Sequence, residues 1–416
     1  MVNSPSVPKF LSGINYWPRR SAMYMWQRFD AGEIAEDMAR IAALGLDVVR
    51  FFLSWEDFQP APETIDRTML QRLEVVMNAI HGAKLQAMPT LFTGHMSGVN
   101  WIPEWALDAH TPHGRFRTIS NGREMPNGIG DFYTGDLLDA QMHHARTVGA
   151  YLCGHPALWT WDLGNEFSNM REPNSPQEAA HWSAEVAECL VATSGAPVTA
   201  GTHGEDITRE RGIRLSSLCA PFPFATMHGY SVYSGFCRGR LDADAVPFLS
   251  QLAQACARKP VLFSEFGNPT CPPGTTSPYD RVPLPGEDIP VVSSVPASNA
   301  AAFACLTEDE MPGYAYGVLD RLQKRGALGG FWWCYADYAA EIAHLPPFDK
   351  APHELSFGIV RQDGTEKPIA AALKKFVSEG RTTVAPPPPI VDENKLYATF
   401  PQCIDEAYAA YEQRFP

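Results

Sequence analysis

Ala157-Leu158-Trp159-Thr160-Trp161-Asp162-Leu163-Gly164-Asn165-Glu166 is a nearly continuous apolar run that ends in an amide and a carboxylate. The same pattern returns at Pro260-Val261-Leu262-Phe263-Ser264-Glu265, just before Phe266-Gly267. Short runs that do not alternate apolar with polar residues read as strands covered on both faces, as in a parallel sheet. In a parallel α/β barrel the C-terminal strand ends gather around one mouth. A carboxylate there is placed for chemistry rather than for packing.

Working outward from these two runs, strand-like segments alternate with helix-like ones, the order of parallel βα units. The candidate strands are 10–16, 47–53, 85–91, 157–163, 197–201, 225–228, 260–264 and 329–335, eight in all. Helical patterns lie between them at 31–44, 68–82, 137–152, 176–193, 243–257, 308–324 and 367–378, with a further helix over 207–218 resting on a weaker pattern. In the first, Ile34, Met38, Ile41, Ala42 and Leu44 fall near helical spacing and Gly45 is placed to cap the end. The fold expected is a (β/α)8 TIM barrel occupying residues 1–380. Residues 94–135, after the third strand, and 267–305, after the seventh, are too long for turns and read as binding loops or lids on the catalytic face. The run Pro386-Pro387-Pro388-Pro389 is a stiff spacer within a tail, 381–416. Ile404, Ala407, Tyr408 and Tyr411 form a short apolar stripe there, expected to pack back on the barrel. The tail is too small to fold alone.

The 416 residues carry a formal net charge of −14, are 45% hydrophobic and include ten tryptophans. Such a chain can bury one large core. Its acidity and the lack of a basic patch argue against a nucleic-acid partner. No apolar run is long enough to span a bilayer, and the first residues lack the basic start, apolar core and cleavage site of an export signal. The nine cysteines are scattered without a C-x-x-C spacing, which reads as free thiols. The expectation is therefore a cytoplasmic protein whose partner is a small neutral molecule, with no membrane contact.

Two carboxylates at the mouth of one barrel suit glycoside cleavage. That reaction needs an acid to protonate the leaving oxygen while a carboxylate or water attacks the anomeric carbon, through an oxocarbenium-like transition state. Glu166 is expected as the acid/base and Glu265 as the nucleophile. The negative charge of Glu265 would favour the protonated form of Glu166 until Glu265 is esterified. Asn165 would hydrogen-bond a sugar hydroxyl. The expected stereochemical outcome is retention.

The ordered set Arg50 in Val48-Val49-Arg50-Phe51, His95, Asn165-Glu166, His228-Gly229-Tyr230, Glu265 and an aromatic residue on the eighth strand resembles the clan-A glycoside hydrolases. The resemblance is greatest to glycoside hydrolase family 5 and its mannanase- and mannosidase-like relatives, over roughly residues 10–378. It implies that Arg50 braces the nucleophile, that Tyr230 donates a hydrogen bond to it, and that His95 and His228 line the subsite of the reacting sugar. It also implies an aromatic platform at Trp332 or Trp333. Strand alternation lets only one of that pair face inward, and Trp332 is preferred.

Each of these residues has a plainer reading beside the functional one. Either glutamate alone could be a strand-end ion-pair partner. Arg50, inside an apolar strand, needs a buried partner in any case. Both histidines could be satisfied loop or core residues. Trp101 and Trp105 are either sugar platforms or loop anchors, and Trp17 is ambiguous in the same way. His143-His144 lacks the i, i+4 spacing of a zinc site and reads as solvated helix surface. No phosphate-binding, dinucleotide or G-x-S-x-G motif appears, so neither cofactor nor metal is expected. The resemblance implies β-linked hexosides, with β-mannosides first and β-glucosides second. Transglycosylation by the same residues and a non-hydrolytic carbohydrate-binding barrel are the alternatives.

Overall fold

The computed structural model describes residues 8–270 and 306–415. Eight parallel strands form the centre: β1 (Leu11–Tyr16), β2 (Val48–Ser54), β3 (Gln86–Thr93), β4 (Trp161–Asn165), β5 (Val198–Gly201), β6 (Ala225–His228), β7 (Val261–Phe266) and β8 (Gly329–Trp332). They are hydrogen-bonded in the order β5-β4-β3-β2-β1-β8-β7-β6. The two outer strands meet through a parallel bridge between His203 and His228, where His228 N donates to Thr202 O at 2.9 Å. That contact closes the ring, and the fold is a TIM barrel.

Each strand expected from the sequence is present. The largest boundary difference is at β4, where the ladder starts at Trp161 and the residues before it form a turn whose Leu158 bridges Ala87. Seven long helices cover the outside: Ala31–Ala43, Arg67–Gly82, Gly135–Tyr151, Pro176–Ser194, Ala245–Ala257, Met311–Lys324 and Pro368–Ser378. Their starts follow local chemistry. Asp30 and Asp66 accept from the backbone N–H groups of the first turns, and Ser175 does so ahead of Pro176.

The helix expected over 207–218 is absent. In its place stand two single turns, Glu205–Thr208 and Leu215–Leu218, separated by Gly212 at φ +68°. A left-handed glycine ends any helix, and the side chain of Arg211 beside it turns inward to buried acceptors. The connection 94–135 is not irregular either. His95–Met96, Val99–Trp101, Arg117–Ser120 and Arg123–Met125 form one small sheet, and Leu107–Pro112 pairs with Asn127–Ile129 in another. Of the second long connection, 271–305 lies outside the described residues, as do Cys271 and Cys305. The seven described cysteines are free.

The tail lies on the barrel. Helices Glu393–Ala398 and Gln402–Arg414 follow the prolines, and Tyr408 and Tyr411 pack on Phe248 at 4.9 and 5.4 Å between ring centroids. Among the described residues, no helix is long and apolar enough to cross a membrane.

Candidate active site

The barrel interior is layered. Val48, Met88, Phe224, Leu262 and Phe331 form an apolar plug. Two residues along β2 from Val48, on the same face, stands Arg50, fully buried. Its guanidinium gathers the site. Nε and Nη2 donate to Asp162 Oδ2 (2.9 and 2.7 Å), Nη1 to Asn15 Oδ1 and Glu265 Oε2 (both 2.9 Å), and Nη2 to Asn165 Oδ1 (2.8 Å). Thr90 Oγ1 also donates to Asp162 Oδ2 at 2.9 Å. A buried charge with this many acceptors is held firmly, and removing it strands two carboxylates.

Strict alternation would aim Ser264, not Glu265, inward beside Leu262. The strand ladders are irregular at the positions that matter. Register shifts fall between Asp162 and Asn165 on β4, between Met227 and His228 on β6, and between Phe263 and Phe266 on β7. Such irregularities re-aim side chains at barrel rims. Here they bring Asn165 and Glu265 to Arg50 while Asp162 keeps its inward place. Glu166 follows in the left-handed region (φ 48°, ψ 43°), costly for a residue with a Cβ. Its N–H donates to Gly201 O. A Cβ on Gly201 would come within 2.2 Å of Gly164 O, so only glycine allows this approach.

Glu166 is ringed by nitrogen. Asn169 Nδ2 donates to Oε2 at 3.0 Å, His228 Nδ1 lies 3.2 Å from Oε1, and His95 Nε2 and His203 Nδ1 lie 3.8 and 4.0 Å from Oε2. Asn100 Nδ2 donates to Asn169 O, which leaves Asn100 Oδ1 to accept from His95 Nδ1 at 2.7 Å. The ring proton of His95 therefore sits on Nδ1, and Nε2 faces the cavity as an acceptor. Burial pushes both His95 and His228 down to about 4, against the pull of the carboxylates. Both are neutral imidazoles near pH 7.

Glu265 accepts from Arg50 on Oε2 and from the Tyr230 hydroxyl on Oε1. Burial raises its carboxyl above the ordinary range and the charge of Glu166 adds to that, while His228, Arg50 and Tyr230 oppose. Tyr230 is itself raised well above the usual phenol value, by burial first and by Glu265 second, and remains a donor. Oxygen atoms of Glu166 and Glu265 lie within 4.8 Å of one another and of a ring nitrogen of His228. These three are the residues best spaced to share a cation, but Arg50 and Tyr230 already occupy both oxygens of Glu265. The trio has the make-up of an acid–base pair around a neutral imidazole.

Above them opens a cavity of about 500 Å³, within the usual range of small-ligand pockets. His95, Asn165, Glu166, His228, Tyr230, Glu265 and Trp333 all line it. Trp332 does not: it points outward, packs on Phe266 and Tyr314, and its Nε1 donates to Phe357 O. The preference for Trp332 is thus corrected. Phe331 belongs to the interior plug, so Trp333 shares its inward face and Trp332 takes the outer one. Trp17, Trp101 and Trp105 do not line this cavity either. Trp17 stacks on Phe52 at 5.2 Å, Trp101 meets Tyr24 edge-on at 5.7 Å, and Trp105 packs on Trp55 at 5.6 Å. His144 is not on a solvated surface but fully buried, stacked on Phe58.

Several residues of the site did not stand out in the sequence: Asn15, Asn100, Asp162, Asn169, His203 and Arg211. Two left a signal. Asp162 is a charge inside an apolar strand and needs a cation, which Arg50 in another such strand supplies. Asn15 sits near the end of the first strand, where site residues gather. The others belong to the connections that follow barrel strands, whose approach to the site depends on the fold.

No family model matches the chain, and no curated protein matches it in sequence. Solved structures do match. Exo-beta-1,4-mannosidase Op5Man5 from Opitutaceae bacterium strain TAV5 superposes with a TM-score of 0.70 at 24% identity, over 90% of this chain and 60% of that one. This chain thus spans less than two thirds of that protein. GH5_18 from Streptomyces cattleya in complex with GlcNAc matches with a TM-score of 0.71 at 22% identity, over 92% of this chain and 83% of that one. A variant of the same protein in complex with Manb1-4GlcNAc gives 0.70 at 21% identity, over 92% and 83%. At these identities the likeness establishes the barrel.

Proposed function

We propose that this chain is a retaining β-glycosidase of the glycoside hydrolase family 5 type that releases β-mannosyl units from short oligosaccharides. The observation that carries the reading is the carboxyl pair. One oxygen of Glu166 and one of Glu265 lie within 4.8 Å of each other. Retaining enzymes hold their two carboxyls about 5–5.5 Å apart, whereas inverting ones leave about 6.5–9.5 Å for a water molecule. The surroundings divide the roles. Glu265, braced by Arg50 and Tyr230, attacks the anomeric carbon from below and forms the glycosyl ester. Glu166, more open to the cavity and held by Asn169 Nδ2, protonates the leaving oxygen. It then takes a proton from the water that hydrolyses the ester. Trp333 supplies the apolar wall for the sugar ring, and His95 Nε2 accepts from a sugar hydroxyl.

The sugar and linkage rest on the neighbours. One is described as an exo-β-1,4-mannosidase and another was solved with Manb1-4GlcNAc. A β-1,4-linked mannosyl unit at the non-reducing end is accordingly the substrate favoured, with β-glucosides second.

The test is hydrolysis of aryl β-mannoside, β-glucoside, β-galactoside and β-xyloside, with β-1,4-linked manno- and gluco-oligosaccharides and Manβ1-4GlcNAc, by wild type and Glu265→Gln. Turnover of mannosides by wild type alone, with one mannose released at a time and the β configuration kept in the first-formed product, is the expected result. Release of α-mannose would overturn retention, and equal cutting of internal bonds in long mannan would overturn the exo reading. Sugar binding without turnover in both proteins would support a binding barrel.

A further inference from the structure

Arg211 occupies the stretch where a helix was expected, between the two single turns that follow β5, and only 7% of it is exposed. Its Nε donates to Glu172 Oε1 (2.9 Å) and its Nη2 to Ser168 O (2.7 Å). Its Nη1 donates to Asn169 Oδ1 (2.8 Å), His203 Nε2 (2.9 Å) and Glu205 Oε2 (3.1 Å). Two of these acceptors reach Glu166 with their far ends. Because Oδ1 of Asn169 accepts from Arg211, its Nδ2 is the end that meets Glu166 Oε2 at 3.0 Å. His203 Nε2 also meets Ser168 Oγ at 3.1 Å, whose own hydrogen goes to Asp206 Oδ1 at 2.6 Å, and the other ring nitrogen of His203, Nδ1, lies 4.0 Å from the same Glu166 oxygen.

We propose that Arg211 is a positioning residue for Glu166. It turns Asn169 so that the amide Nδ2 presents an N–H to the carboxylate oxygen of Glu166. Donors on a carboxylate favour its ionised form. In the role given to it above, Glu166 is acid in the first step and base in the second, and Arg211 fixes the donor that meets its carboxylate in both. The other groups facing Glu166 add no fixed positive charge. His95 and His228 are kept neutral by burial, and Tyr230 and Tyr233 remain phenols. Asn169, His203 and Glu205 line the cavity and Arg211 itself does not, so its effect on the chemistry passes through its neighbours. The inference rests on the role given to Glu166 above.

The experiment compares wild type, Asn169→Ala, Arg211→Met, Arg211→Lys and the double variant Asn169→Ala/Arg211→Met, all as the full chain. The readouts are the pH profile of kcat/KM on an alkyl β-mannoside and ¹³C-carboxyl NMR of Glu166, assigned with Glu166→Gln. Asn169→Ala and Arg211→Met are each expected to move the alkaline limb, and the NMR midpoint of Glu166, upward by about one unit, a tenfold change in proton affinity. The shift in the double variant should fall short of the sum of the two, because both act on one donor. Arg211→Lys, which keeps the charge but cannot reach both acceptors, should move it less. A merely structural role would lower melting temperature and active fraction and leave the limb in place. That result, or fully additive shifts, overturns the proposal. If Arg211→Met does not fold, Arg211→Lys against Asn169→Ala decides by the same criterion. If wild type cleaves no glycoside, the glycosidase reading fails, while the NMR midpoints still decide whether Arg211 governs Glu166.

Discussion

Replacing Tyr230 by phenylalanine removes one oxygen, and with it one hydrogen-bond donor, and little else. The ring keeps its edge contacts with Tyr233 and Phe357, at 5.3 and 6.1 Å between centroids. Loss of one net hydrogen bond should cost the fold about 1 kcal/mol. The consequence for Glu265 is larger. Its two oxygens have one strong donor each, Tyr230 on Oε1 and Arg50 on Oε2. Burial already raises the carboxyl, and the phenol is one of the groups pulling it back. A hydrogen bond to a charged group is worth about 1.5–3 kcal/mol. At 1.36 kcal/mol per unit, its loss should raise the Glu265 carboxyl by about one to two further units. The sign follows from the chemistry. The nucleophile must be ionised, so activity falls as the pH drops through its titration, and a higher value moves the acid limb of the kcat/KM profile to higher pH. The assay is that profile on an aryl β-mannoside, whose leaving group needs little protonation, with the melting temperature followed in parallel. An acid limb unmoved by more than a few tenths of a unit, in a folded variant, would show that Tyr230 does not govern Glu265.

Three other outcomes follow from the same geometry. Arg50→Met should destabilise the fold by about 3–5 kcal/mol in urea denaturation, because it leaves buried carboxylates without their cation; a loss under about 1 kcal/mol would mean the cluster adjusts. Trp333→Ala and Trp332→Ala both truncate a buried tryptophan and should each cost about 3–5 kcal/mol; only Trp333→Ala should also raise KM for mannosides, and a KM rise confined to Trp332→Ala would refute the facing assigned to the pair. His144 is buried with neither ring nitrogen bonded, and burial pushes it down to about 3. It takes up a proton on unfolding wherever the pH lies between that value and its ordinary one near 6.5. Stability should therefore fall as pH drops below about 6.5, and His144→Leu should flatten that fall by on the order of 2 kcal/mol between pH 7 and pH 5. Parallel curves for the two proteins would contradict it.

The eight strands and seven of the helices were legible because each rests on a short-range pattern: an unbroken apolar run, a 3.6-residue period, a cap. The missing helix after β5 shows where this ends. The periodicity over 207–218 is real, but Arg211 makes five hydrogen bonds, three of them buried, that a continuous helix would forgo, and Gly212 lets the chain break. The connection after β3 was recognised as long, but not as two small sheets. Its strands are short, and their pairing depends on partners brought together only by the fold.

The sequence by itself determined the barrel, the two glutamates at strand ends, and the need for Arg50 to find a buried partner. These follow from local periodicity and from the cost of burying an unpaired charge, which no tertiary context removes. The tertiary structure alone decided which of Trp332 and Trp333 faces the cavity, that Trp17, Trp101 and Trp105 lie outside it, and that Asn169, His203 and Arg211 join the hydrogen-bonded network beside Glu166. Facing at a strand end depends on register, and register shifts on β4, β6 and β7 change it by one residue in ways that alternation cannot foresee. Contacts between loops depend on how eight strands close into a ring, a constraint that no segment of the chain carries on its own.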